Sequence, residues 1–162
     1  MGRFASLVDT PEGIENLKAQ YNIPPKVSIR HCLQGEWHAL RLEGEVVIPM
    51  IAFIDGGIRI PMGRVIRNFL IAHKLCPTQC SLNVFRILGC VDTLNEKMGV
   101  NLTHHDVNWV YNYQHLRSTR YYLKTRVPEV RLISCLPKSN KGMDQDFLII
   151  PGEWHDKLHC PT

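Results

Sequence analysis

The amino-acid sequence predicts an α+β fold with a helical middle of about three to four helices and a small C-terminal antiparallel sheet. In the central block, from Gly57 to Leu88, apolar residues recur at steps of three and four on both sides of Pro77, which is typical of two helices. After Arg117 the chain changes to short runs rich in β-branched and aromatic residues, which favour strands. With 162 residues, 44% of them hydrophobic, the chain is long enough for one domain with a substantial core.

The N-terminal part is predicted to hold one short helix and one short strand. Thr10 is a good N-cap residue and Pro11 fits the first helical turn, so a helix is expected to run toward residue 21. Pro24 follows and is expected to end it. The loosely alternating residues 27–33 then predict a strand.

Residues 45–60 fit two alternatives. The apolar run VVIPMIAFI suits a buried strand, with Asp55 and Gly56 as the turn of a hairpin, although Pro49 disfavours a central strand. A short helix that begins near Pro49 and ends at Gly56 and Gly57 fits equally well. The pattern alone leaves both structures open.

Two longer helices are predicted on either side of Pro77, each with one buried stripe. The first helix should bury Met62, Val65, Ile66, Phe69, Leu70 and His73, while Arg64, Arg67 and Lys74 share another face. Thr78 or Ser81 can cap the second helix, which is expected to end at Gly99. Its stripe consists of Val84, Phe85, Leu88, Val91, Leu94 and Met98. Because the connection between them is short, the two helices should pack as a pair.

A third helix is predicted to begin after Thr103, which forms a capping-box pattern with Asp106. Its inner face is expected to consist of Val107, Val110 and Tyr111. His104 and His105 lie in its first turn, and since no cysteine adjoins them, we interpret them as a solvated helix start rather than as catalytic bases.

Three strand-like segments follow the helices. The segments RYYLKTRV (120–127) and VRLISCL (130–136) flank a turn at Pro128 and Glu129, which predicts an antiparallel pair. The segment DFLII (146–150) predicts a further strand. Together they form the predicted C-terminal sheet.

The serial order of these motifs carries a family resemblance. In chain order they are GIRIP (57–61), the helix ending in AHKL (72–75), CPTQCSLNVFRILG (76–89), Leu102, the helix from Val107 to Tyr111, the strand with Tyr121 and Tyr122, LPKSNKGMDQDFLII (136–150), and Gly152, Glu153 and Trp154. This order resembles the gypsy-type transposon domain of plant genomes, which lies near the start of Gag-like reading frames in retrotransposon-derived proteins. The resemblance implies an element-derived, non-enzymatic domain, and it supplies no catalytic residues.

The resemblance also suggests a division of the chain. It implies a domain over residues 45–155, preceded by an N-terminal extension with a short helix over residues 1–44. Residues 156–162 would form a tail that leads into a longer polyprotein.

The signatures of enzymes that mobile elements encode are missing from the sequence. An aspartic protease needs Asp-Thr-Gly or Asp-Ser-Gly, but the two Asp-Thr pairs, at Asp9 and Asp92, are followed by proline and leucine. Polymerase and integrase chemistry needs carboxylates that converge on Mg²⁺, and no such frame is recognisable among the 15 acidic residues. The chain is therefore predicted not to be an enzyme and to need no cofactor.

Metal binding is not predicted either. His73, Cys76 and Cys80, with Cys90 further along, do not have the spacing of a zinc knuckle, so we interpret them as core thiols and a core-edge histidine. His155, His159 and Cys160 are interpreted as part of a loose tail. The first residues lack a secretory signal, which predicts an intracellular protein, nuclear or cytoplasmic, whose six cysteines are reduced. No apolar run approaches the roughly 20 residues of a membrane span, so no membrane partner is expected.

Positive charge is concentrated near the C-terminus. Between Arg117 and Lys141 the chain has seven basic residues and one acidic residue, Glu129, whereas the net charge of the whole chain is +4. An anionic partner would respond to this local charge. The candidate residues for binding nucleic acid are Arg117, Arg120, Tyr122, Lys124, Arg126, Arg131, Lys138 and Lys141.

The strand at residues 120–127 gives the sharpest hypothesis. Since strand side chains alternate, the three basic residues Arg120, Lys124 and Arg126 should share one face with Tyr122. Such a face suits single-stranded RNA or DNA, with phosphates bound by the cations and a base stacked on the tyrosine. Two alternatives stay open. The charges can instead protect a sheet edge from aggregation, or the domain can serve self-assembly or bind a protein without binding nucleic acid.

Overall fold

The computed structural model describes residues 2–32, 44–115, 120–137 and 146–151, and it is an α+β fold as the sequence predicts. Within these ranges the helices are α1 (Pro11–Gln20), α2 (Met50–Ile54), α3 (Arg64–Ala72), α4 (Leu82–Met98) and α5 (His104–Val110). The strands are β1 (Arg30–Cys32), β2 (Glu45–Pro49), β3 (Tyr111–His115), β4 (Tyr121–Thr125) and β5 (Phe147–Pro151).

The three-stranded sheet joins the two ends of the chain. Its strand order is β1-β5-β2, and both pairs are antiparallel, with His31 and Ile48 each opposite Leu148. The central strand β5 is completely buried at Leu148, Ile149 and Ile150. The strand predicted at 146–150 is thus confirmed, and the strand predicted at 27–33 is present only as Arg30–Cys32 among the described residues. The 146–150 strand does not join the strand at 120–127 in one sheet as expected, because β5 pairs with strands that lie more than 90 residues earlier in the chain.

Residues 45–60 contain both of the structures that the sequence left open. Glu45–Pro49 forms β2 at the edge of the sheet, where a proline is tolerated, and Met50–Ile54 follows at once as α2. The turn after α2 contains Gly57, whose φ of +74° is in the left-handed region that favours glycine. The predicted hairpin at Asp55 and Gly56 is absent.

Helices α3 and α4 pack as the predicted pair. The carboxylate of Asp92 on α4 accepts hydrogen bonds from the backbone N–H groups of Val65 (2.9 Å) and Ile66 (3.3 Å), so it caps the first turn of α3. The predicted stripe of α4 is buried through Val91 but fails at Met98, which is 70% exposed. Because α3 begins opposite Asp92, the last turns of α4 extend past the start of α3.

The N-terminal segment belongs to the same core. Phe4, Val8 and Leu17 pack in the main hydrophobic cluster with residues of α3 and α4. Asp146, at the start of β5, is 2% exposed and accepts the backbone N–H of Phe4 at 2.7 Å. This hydrogen bond ties the beginning of the chain to the central strand.

The second sheet is a hairpin of β3 and β4, and it replaces the pair that the sequence predicts. Helix α5 has the predicted capping box but ends at Val110, and Tyr111 is the first residue of β3 rather than a helical residue. The strand predicted at 130–136 is wrong. Its apolar residues Leu132 and Ile133 are instead packed against the core, and their N–H groups donate to the Tyr111 hydroxyl at 3.2 and 3.3 Å.

One prediction about the cysteines is also wrong. Cys76 is disulfide-bonded, whereas Cys80, Cys90 and Cys135 are free thiols. The expectation of six reduced cysteines was based on the expected compartment and not on local geometry, and it does not hold at Cys76.

Candidate functional site

The outward face of the hairpin carries the polar and basic side chains of β4. Tyr122 lies opposite Gln114 and donates its hydroxyl hydrogen to Gln114 Oε1 at 2.9 Å, while Lys124 lies opposite Asn112. Leu123, on the other face, is 4% exposed and belongs to the core. The alternation of β4 therefore turns Tyr122 and Lys124 away from the core, and Lys124 is exposed.

The free edge of β4 is covered by the start of α4. Ser81 donates its backbone N–H to the carbonyl of Tyr121 at 2.8 Å. The Asn83 side chain donates to the carbonyl of Leu123 at 2.9 Å and accepts the N–H of Leu123 at 3.4 Å. On the side of β4 away from β3, these bonds satisfy the Tyr121 carbonyl and both backbone groups of Leu123. The basic side chains of β4 are therefore not needed to keep this edge from pairing with another chain.

The predicted basic residues differ in their surroundings. Lys124 and Arg126 are exposed, and the Arg126 Nε donates to the carbonyl of Asn108 at 2.8 Å. Arg120 is half-buried, and its Nε donates to the carbonyl of Thr78 at 3.4 Å. Arg131 is exposed on the segment after β4, where its Nε donates to the Pro128 carbonyl at 3.2 Å. Arg117, Lys138 and Lys141 lie outside the described residues.

A cleft at the base of the hairpin adds residues that the sequence did not indicate. It has a volume of about 370 Å³ and is lined by His105, Asn108, Trp109 and Arg126. Trp109 is 81% exposed. Arg126 reaches the cleft because the hairpin ladder continues past β4, with the Arg126 N–H donating to the Val110 carbonyl at 2.8 Å. The signal available in the sequence was a tryptophan on the outer face of the predicted third helix.

Aromatic rings and histidines form a contiguous cluster behind the cleft. The ring centroid of His73 lies 4.4 Å from that of Phe69 and 4.2 Å from that of Tyr113. The ring centroids of Tyr113 and Tyr121 are 5.6 Å apart. His73 Nε2 is 3.2 Å from Asn108 Oδ1, which connects this cluster to the cleft. Burial lowers the pKa of His73 below its usual value, and the hydrogen bond to Asn108 opposes this effect. The interpretation of His73 as a core-edge histidine is confirmed.

The paired histidines at the start of α5 are close neighbours. The ring centroids of His104 and His105 are 4.0 Å apart. Burial lowers the pKa of His104, and the nearby His105 and His73 lower it further because like charges would repel. Nδ1 of His104 is buried and has no hydrogen-bond partner among the described residues. The interpretation of this pair as a solvated helix start therefore holds for the exposed His105 but is wrong for the buried side of His104.

Other titratable groups give no arrangement of nucleophile and base in the part of the chain that the structure describes. Burial raises the pKa of the Cys80 thiol to about 12, against a smaller opposite effect of Arg120, so this thiol is protonated at neutral pH. His31 Nε2 lies 3.6 Å from the buried carboxylate of Asp146, whose other oxygen holds the N-terminal segment. Within the same ranges, no three side chains of His, Cys, Asp or Glu are grouped so that they could hold a metal ion.

Two further findings concern the lengths of the helices and the similarity of this chain to known proteins. None of the described helices is both long and apolar enough to span a membrane. Searches of protein-family models, curated proteins and solved structures found no match to this chain.

Proposed function

We propose that this chain is a non-enzymatic domain of a plant retrotransposon-derived protein that binds single-stranded nucleic acid through the outward face of the β3–β4 hairpin. The observation that carries the proposal is the exposed cation Arg126 beside Trp109, which is 81% exposed, with a second exposed cation, Lys124, on the same strand face. Phosphates are bound by such cations and bases stack on such rings, with little dependence on sequence. The retrotransposon origin rests on the serial order of motifs alone.

The covered edge of β4 supports binding over edge protection. Because Ser81 and Asn83 occupy backbone groups of that edge, protection of the strand does not explain why its exposed side chains are basic. The positive side chains are then available to a ligand. Tyr122 adds a phenol ring to the same face, fixed by its bond to Gln114.

The test is fluorescence anisotropy of a labelled single-stranded RNA at several salt concentrations. The variant Lys124→Ala/Arg126→Ala removes the two exposed cations, and Arg120 is left unchanged because it is half-buried. Each neutralised phosphate contributes about 0.7 to the slope of log affinity against log salt for single strands, so the slope should decrease by about 1.4 in the variant.

A matched control removes the same charge elsewhere. Lys26→Ala/Arg67→Ala changes two exposed basic residues that lie in a loop and on the basic face of α3. We expect this control to retain the wild-type slope. Failure of the wild type to bind at low salt, or an equal loss in the control, would contradict the proposal.

Self-association is a second candidate, and the outer edge of β3 favours it. In the described part of the chain no strand pairs with that edge, and Tyr111–His115 contains no acidic residue, lysine, arginine or proline to block pairing. Tyr113 on this strand is 42% exposed. Sedimentation velocity over a range of concentrations tests this candidate: a mass that rises with concentration, and that Tyr113→Lys returns to the monomer, is expected. A constant monomer mass would exclude it.

A further inference from the structure

We infer that the cleft formed by His105, Asn108, Trp109 and Arg126 is a nucleotide subsite that accepts one purine nucleoside monophosphate unit, either free or within a strand. The base stacks on Trp109 and the phosphate is bound by Arg126. This inference rests on the proposed function, because it assigns a specific ligand unit to one end of the same surface.

The fold places the four side chains together by two independent features. His105, Asn108 and Trp109 are separated by three and four positions on α5, so they share one side of the helix. Arg126 follows β4 directly and is held on that side of α5 by two hydrogen bonds. Its backbone N–H donates to the Val110 carbonyl, and its Nε donates to the Asn108 carbonyl. The guanidinium is therefore held in place before any ligand binds, which reduces the entropy cost of binding.

The hydrogen-bonding groups of the cleft select an anion rich in acceptors. Asn108 Oδ1 is occupied by His73, so the side-chain amide offers its N–H₂ group as a donor. The Arg126 Nε is occupied by a carbonyl, and its two Nη groups have no bonded partner among the described residues. The indole N–H of Trp109 is a further donor. None of the four lining residues is acidic. A phosphate bound to a base with exposed ring nitrogens satisfies these donors, whereas a cation does not.

The exposure of Trp109 selects the base. The cleft, about 370 Å³ in volume, is open to solvent, so its walls do not discriminate between bases. The indole of Trp109 is 81% exposed, so a ring that covers it removes apolar surface from water. A purine covers more of the indole than a pyrimidine does, and we therefore expect adenine and guanine to bind more tightly than cytosine and uracil.

The first experiment measures the subsite directly. The ¹⁵N-labelled full chain is titrated with AMP, CMP, adenosine and inorganic phosphate, and the indole N–H signal of Trp109 is followed by NMR after assignment with Trp109→Phe. AMP should shift this signal in a saturable way. Adenosine and phosphate should each bind roughly tenfold more weakly than AMP, as expected when one charge-assisted hydrogen bond or the stacked base is lost.

The second experiment places the subsite in a strand. Anisotropy compares RNA octamers of adenylate and of uridylate on the wild type, Trp109→Ala, Trp109→Phe and Lys124→Ala. Trp109→Ala should weaken adenylate binding roughly tenfold and abolish the purine preference, and Trp109→Phe should retain most of both. Lys124→Ala should weaken both octamers equally, because a phosphate contact does not distinguish bases.

The outcomes separate the two proposals. A shift with AMP but no octamer binding supports the subsite and contradicts the proposed function. Octamer binding with no AMP shift, and with no change in base preference in Trp109→Ala, overturns the subsite and leaves the proposed function in place. If neither AMP nor an octamer binds, both proposals are wrong. Because Trp109 is highly exposed, its variants should remain folded. The dispersion of their other amide signals checks this.

Discussion

The tertiary cap that Asp92 forms on α3 gives a prediction whose size follows from the structure. Its carboxylate accepts two backbone N–H groups of the first turn of α3, at 2.9 and 3.3 Å. Loss of an N-cap acceptor costs about 0.5–2 kcal/mol, and hydrogen bonds to a charged group contribute about 1.5–3 kcal/mol each. Since Asp92 is only half-buried and water can replace part of the loss, we expect Asp92→Ala to cost about 2 kcal/mol.

A glycine next to this carboxylate turns the prediction into a double-mutant cycle. A Cβ atom on Gly63 would lie 2.1 Å from Asp92 Oδ2, so Gly63→Ala should displace the carboxylate and cost about 1–2 kcal/mol. The backbone of Gly63, with φ of −55°, accommodates alanine without strain. Asp92→Ala removes the two closest atoms and leaves only the Cβ atom of residue 92, 3.1 Å from the added Cβ, so most of the clash is relieved. The double variant should therefore cost about as much as Asp92→Ala alone, with a coupling energy of about 1–2 kcal/mol.

Urea unfolding followed by circular dichroism measures all four proteins. Asp9→Ala, which removes an exposed carboxylate with no such contact, is the matched control and should change stability by less than about 0.5 kcal/mol. Additive costs in the cycle, or a loss below about 0.5 kcal/mol for Asp92→Ala, would refute the cap.

Two further predictions concern the elements around the hairpin. Tyr111→Phe removes the hydroxyl that accepts the N–H groups of Leu132 and Ile133, and should cost about 1–3 kcal/mol and accelerate proteolysis within residues 128–137; unchanged cleavage there would contradict it. Because burial and two neighbouring histidines lower the pKa of His104, the unfolded chain binds more protons below its usual value of 6.5. The stability that depends on neutral His104 is complete above pH 6.5 and decreases as the pH falls toward the lowered pKa. Unfolding at pH 7.5 and 5 should therefore show a smaller pH dependence in His104→Gln, and an identical one would contradict this reasoning.

The helical part of the fold could be predicted because its signals are local. The buried stripes of α3 and α4, the break at Pro77 and the left-handed Gly99, with φ of +63°, all act within a few residues of their own positions. The prediction failed at Met98, where burial depends on how far the partner helix extends. An amphipathic pattern indicates which side of a helix can be buried, but it does not indicate where the neighbouring helix ends.

The sheets could not be predicted to the same extent because strand pairing is non-local. Residues 130–136 have a stronger strand composition than Tyr111–His115, yet the latter pair with β4 and the former do not. Leu132 and Ile133 are partly buried against the core without strand pairing, and their N–H groups are satisfied by one tyrosine hydroxyl. Because the Tyr111 hydroxyl satisfies these N–H groups in place of a neighbouring strand, β-propensity does not decide the conformation of this segment.

The same distinction explains which half of the candidate site the sequence indicated. Side-chain alternation along one strand places Lys124 and Arg126 on the same face, so this half of the site could be predicted from the sequence. The indole of Trp109 joins them only because α5 ends at Val110 and that residue accepts the N–H of Arg126. A continued helix through Tyr111 would have left the tryptophan and the arginine on separate elements. The end of one short helix therefore determines whether this surface carries only charge, or charge together with a ring on which a base can stack.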